Sequence, residues 1–86
     1  MSSSGSSSNK LEYLKFATNN LNDILNDKNG CQCVFCFKKP KITSETLICD
    51  ESTVLCPLCG IDAVVPSSKI PNFKTLKRWR QEGFGF

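Results

Sequence analysis

Leu11, Leu14, Thr18, Leu21 and Leu25 recur at three- and four-residue steps, with Ala17 and Ile24 beside them. That spacing lays apolar side chains along one face of a helix. It predicts an N-terminal amphipathic helix of about four turns within residues 9–30. Asn9 and Glu12 have the spacing of a capping box at its start, in which each side chain satisfies a free backbone N–H. Asn29-Gly30 supplies the stop, because glycine takes the left-handed conformation that ends helices.

The pattern then changes. Leu47-Ile48-Cys49 and Thr53-Val54-Leu55 flank Asp50-Glu51-Ser52, which reads as a hairpin whose second strand runs into Cys56. Ala63-Val64-Val65 reads as a third strand closed by Pro66. A loop over 67–71 leads to a helix over 72–82, with Asn72 as N-cap and Gly83 as terminator. On that helix Phe73, Leu76 and Trp79 fall to one side, and Lys74, Lys77, Arg78 and Gln81 to the other. No internal repeat is present.

Length sharpens the problem of stability. Of 86 residues, the first eight are almost all Ser and Gly, too polar to join a core. A domain this small has a high surface-to-volume ratio and needs a staple, either disulfides or a metal. Six cysteines and no histidine narrow the choice. No window has the basic start, apolar run and small-residue site of a secretory signal, and the apolar runs at 33–37 and 63–65 are too short to span a bilayer. The expectation is a soluble cytoplasmic protein, or a nuclear or virion one from a eukaryotic or viral source. In such reducing compartments paired cysteines serve metals more often than disulfides.

Cys33-Val34-Phe35-Cys36 and Cys56-Pro57-Leu58-Cys59 are two C-x2-C pairs with nineteen residues between them, the spacing of four-cysteine zinc sites. Each short turn brings two sulfurs to one tetrahedral ion while its amides point back at the thiolates. Gly60 permits the positive φ that such a turn needs, and Pro57 stiffens it. The alternative for any cysteine is a buried small hydrophobe, the reading given to Cys31 and Cys49. Cys31, two residues before Cys33, is also placed to replace it as a ligand. Four thiolates leave no open coordination position, so a single structural Zn2+ is expected and no catalysis at the metal. The predicted fold class is a small zinc-stabilised α+β domain: residues 31–66 form a zinc ribbon of about three short antiparallel strands, the usual framework for such sites. An N-terminal helix (9–30) and a basic C-terminal helix and tail (67–86) flank it.

The first pair, then Ile48, Asp50 and the block Thr53-Val54-Leu55-Cys56-Pro57-Leu58-Cys59-Gly60-Ile61-Asp62-Ala63-Val64-Val65, resemble a family of small bacterial and phage zinc-ribbon proteins labelled only as cytoplasmic proteins. The resemblance covers residues 31–66, with a looser match at Leu76, Trp79 and Phe84. It implies that Cys33, Cys36, Cys56 and Cys59 are the ligands and that Asp62 has a special role. Read from the residues alone, Asp62 caps the local turn by accepting backbone N–H groups; an exposed functional carboxylate is the other reading. The Ser-rich start, Cys31, Cys49 and the basic C-terminal helix depart from the family pattern. No activity is assigned to the family.

The formal net charge of +3 is concentrated late, with five basic and one acidic side chains in residues 67–86. Lys69, Lys74, Lys77, Arg78 and Arg80, with Trp79, Phe84 and Phe86 for stacking, predict a non-catalytic module that binds nucleic acid or a larger protein machine. The plainer reading is a solvated helix face with Trp79 in the core. A structural accessory subunit of a large assembly, such as a polymerase or virion, is the alternative. A thiol redox sensor at Cys31 or Cys49 ranks below both, since neither has an activating neighbour in sequence. No membrane partner or small-molecule substrate is expected.

Overall fold

A computed structural model of the chain describes residues 11–46, 48–49 and 52–85. The Ser-rich start, Asn9 of the expected capping box, Asp50 and Glu51 of the hairpin turn, the Cys49 side chain and Phe86 lie outside what is described.

The leucine stripe does not build one helix. Two short helices form instead, α1 (Leu14–Ala17) and α2 (Leu21–Leu25). Between them Thr18 is extended and Asn19 has a φ of 46°. Thr-Asn-Asn is a poor helical run whose side chains bond locally to backbone, and tertiary bonding completes the break. Asn20 is 1% exposed; its amide nitrogen donates to the carbonyls of Phe16 and Val64, and its Oδ1 accepts from Val54 N at 3.2 Å. The buried positions are therefore Tyr13, Ala17, Asn20 and Ile24, whereas Leu14 and Leu25 are 44% and 43% exposed.

Among the described residues four strands form two antiparallel pairs. The expected hairpin is present: β2 (Ile48–Cys49) pairs with β3 (Thr53–Val54), Ile48 opposite Val54. The third predicted strand is β4 (Val64–Pro66), and its partner, β1 (Cys31–Cys33), was not foreseen because Cys-Gln-Cys carries no β-branched or aromatic signal. Their register sets Cys33 opposite Val64 and Cys31 opposite Pro66.

After a 3-10 turn at Ser67–Lys69, α3 (Phe73–Phe84) closes the structure. Asn72 caps it as expected, Oδ1 accepting from Thr75 N at 2.9 Å. The stop is Gly85, at a φ of 78° with its N–H on the Gln81 carbonyl; Gly83 lies within the helix. There Gly83 allows close approach, since a Cβ would stand 2.5 Å from the Tyr13 hydroxyl oxygen. Leu76 and Trp79 are buried, but Phe73, assigned to the same face by periodicity, is 48% exposed. The core gathers Ala17, Val34, Val54, Ala63, Val64, Val65, Leu76 and Trp79. Among the described residues no helix is long and apolar enough to cross a membrane.

Candidate metal centre

Pairing of β1 with β4 decides where the two cysteine turns meet. Cys33 ends β1, and the second turn leads back through Ala63 into β4, so the turns lie side by side. Val34 N donates to the Ala63 carbonyl at 2.8 Å and locks that arrangement.

The two turns repeat one geometry. Cys33 N donates to the Lys38 carbonyl at 3.0 Å and Cys56 N to the Ile61 carbonyl at 3.1 Å, five residues on in each case. Phe35 N donates to Cys33 Sγ at 3.3 Å, and Leu58 N and Cys59 N donate to Cys56 Sγ at 3.4 Å. The residue after the second cysteine is left-handed both times, Gly60 at a φ of 83° and Phe37 at 62°. Glycine takes that conformation freely, whereas phenylalanine is strained there, at a cost of order 1 kcal/mol.

Together the turns bring the Sγ atoms of Cys33, Cys36, Cys56 and Cys59 within 4.8 Å of one another. Cys33 and Cys59 are 3.6 Å apart and Cys36 and Cys56 3.7 Å. A disulfide needs about 2.05 Å. A tetrahedral ion with metal–sulfur bonds of about 2.3 Å sets its sulfurs about 3.8 Å apart. The donor set, its spacing and the N–H groups aimed at the sulfurs fit a thiophilic dication such as zinc.

Burial pushes the Cys33 thiol well above its ordinary value, against the pull of the Cys36 and Phe35 N–H groups. Burial also acts on Cys56, but the N–H groups of Cys59 and Leu58 and the neighbouring thiols outweigh it and bring Cys56 down. Cys59 is raised, by burial first. A dication among the four sulfurs displaces such protons outright. Cys31 stands apart: its Sγ faces the Pro40 carbonyl at 3.7 Å, and burial, then Cys56 and Asp27, raises it to about 11. It fills core volume and is not part of the cluster.

Asp62 is exposed and accepts no hydrogen bond among the described residues, so the expected turn cap is not made. Its charge falls on Tyr13, whose hydroxyl is raised above 10.0 by burial first and by Asp62 second.

The residues expected to bind a partner separate into distinct settings. Trp79 is 6% exposed, its ring 5.9 Å from Tyr13 and 6.4 Å from Phe16; it is a core residue and cannot stack on a ligand. Lys69 lies over Phe16. Arg78 pairs with Glu82 at 3.0 Å, both in solvent. Lys74 is exposed, Lys77 sits 5.4 Å over the Phe73 ring, and the Arg80 guanidinium lies over Phe35 and Phe37 at 5.4 and 5.0 Å. Phe35 and Phe37 in turn meet Phe84 and Phe73 edge to face at 5.0 and 5.3 Å. Sequence reasoning passed over Phe35, Phe37, Lys38 and Lys39, although the Phe-Lys-Lys run after Cys36 was a signal of its own.

Comparison with protein-family profiles, curated proteins and solved structures finds no match for this chain.

Proposed function

We propose that the protein is a zinc ribbon: one structural Zn2+ held by Cys33, Cys36, Cys56 and Cys59 stabilises a non-catalytic module that binds nucleic acid through its basic C-terminal helix. The observation that carries the metal assignment is the set of four sulfurs at tetrahedral spacing. Four thiolates saturate a tetrahedral ion, so the metal organises the fold rather than a substrate. The resemblance of residues 31–66 to bacterial and phage zinc-ribbon proteins supports the same ligand set. Lys74 and Lys77, exposed on a helix whose Leu76 and Trp79 are in the core, supply the positive face. A redox role for Cys31 gains no support, because a buried thiol raised to about 11 is neither accessible nor ionised near neutrality.

A second reading, an accessory subunit of a larger assembly, is favoured by Leu58, 57% exposed at the tip of the second turn. Apolar side chains held out on a rigid turn suit a protein contact.

Native mass spectrometry of the purified chain is expected to show one zinc per polypeptide. Titration with labelled nucleic acid at two ionic strengths is expected to give binding that weakens steeply with salt. Two zincs, or none, overturns the site; binding with no salt dependence, or none at low salt, overturns the nucleic-acid reading in favour of the protein contact.

A further inference from the structure

Residues 35–41 and 69–80 hold eight of the chain's eleven basic side chains and no acidic one. The remainder carries all eight acidic groups and three basic ones. The fold joins these two segments through the rings beside the first cysteine turn, where Phe37 meets Phe73 and Arg80 spans Phe35 and Phe37. Four phenylalanines thus form an aromatic floor on the surface. Phe73 is 48% exposed; Lys38 and Lys39, which follow Phe37 in the chain, and Lys74 and Lys77, on the same helix as Phe73, are also exposed.

We propose that this face binds single-stranded nucleic acid, a base stacking on Phe73 while Lys38, Lys39, Lys74 and Lys77 take the flanking phosphates. The assignment rests on reading the protein as a nucleic-acid module and adds which strand state it takes and where. Four exposed lysines, with Glu82 engaged by Arg78, select a polyanion. The exposed ring selects among polyanions, because only an unpaired base offers a free π-face at low cost, and duplex bases are already stacked on one another. An acidic polypeptide would satisfy the lysines but give Phe73 no flat partner. The Lys77 ammonium that lies over Phe73 is on a flexible stem; a stacking base displaces it toward its own phosphate.

Phe37 supports the same conclusion. At the equivalent position the second turn has Gly60, which costs nothing in the left-handed region. The first turn carries phenylalanine there despite the strain, and its ring supports Phe73 and Arg80 from beneath. Strain retained where glycine would serve the fold points to a use for the side chain.

The test is fluorescence anisotropy of a labelled oligothymidylate and a duplex of equal length with the zinc-loaded full chain. The single strand is expected to bind more tightly. Phe73→Ala, at an exposed site, is expected to weaken single-strand binding about tenfold with zinc content and Trp79 fluorescence unchanged. Lys77→Glu is expected to weaken it by a similar factor, whereas Lys15→Glu, which makes the same charge change beside Phe16, leaves it nearly unaltered. Duplex binding as tight as single-strand binding, indifference to Phe73→Ala, or equal competition by polyglutamate overturns the stacking assignment. Salt-dependent duplex binding that ignores Phe73 does so while leaving the nucleic-acid reading in place; absence of binding to either nucleic acid removes both.

Discussion

Asn20 does more for this fold than any leucine of the stripe around it. Its side chain joins three separate segments: the end of α1 through Phe16, β3 through the Val54 N–H, and β4 through the Val64 carbonyl. These are the backbone groups next to the two routes into the second cysteine turn. A buried amide with each of its groups matched adds only modest net stability, but removing it strands its partners, which is far costlier. Asn20→Ala is expected to destabilise by about 2 to 3 kcal/mol. Asn20→Asp, nearly isosteric, should be worse, because a carboxylate oxygen then faces two carbonyls. Chemical denaturation of the zinc-loaded protein measures both; an aspartate variant more stable than the alanine one would show that the Phe16 and Val64 bonds contribute little.

At the level of elements, α3 carries the most information per residue. Its cap and its buried pair Leu76 and Trp79 follow from sequence pattern, because helix caps and periodicity are local physics. Its terminator does not, because the reason for Gly83 lies far outside any local window, at the other end of the chain: the Tyr13 hydroxyl and Leu11 crowd that position. On helix propensity alone Gly83→Ala stabilises by about 1 kcal/mol. Here the clash should reverse the sign, giving a loss of about 1 to 2 kcal/mol, and Tyr13→Phe should relieve part of it in a double-mutant cycle. Additive single and double variants would mean that the two residues do not touch in solution. The same distinction explains the other elements. The β2–β3 hairpin and the four cysteines were legible from turn residues and spacing. The break at Asn19 and Asn20 and the strand β1 were not, since each is made by partners more than thirty residues away, Val54, Val64 and Pro66. The aromatic floor was invisible for the same reason, its two halves being joined only in space.

On the scale of the whole molecule, almost nothing here is long enough to stand alone. α1 and α2 are four and five residues, and among the described residues no strand exceeds three. Isolated helices shorter than about twelve residues are marginal in water, and two-stranded pairs fare no better. Several elements meet at the two cysteine turns: β1 and β4 enter and leave them, β3 feeds the second, and α3 lies against the first through Phe35, Phe37 and Phe84. Four thiols at this spacing without a cation would crowd one another, Cys33 and Cys56 buried, and Cys33 in particular is disfavoured as a thiolate there. Zinc binding by comparable peptides is worth about 10 to 16 kcal/mol, larger than the whole stability of about 5 to 15 kcal/mol of an ordinary domain. Excess chelator is therefore expected to unfold the entire chain in one step rather than loosen one end. Trp79 sits in the core against Tyr13 and Phe16 and so reports on the packing of α3 against the N-terminal segment. Its emission should shift to the red on chelation and return when zinc is restored. Loss of the β1–β4 amide signals with Trp79 emission unchanged would mean instead that the helical side of the molecule holds together without the metal.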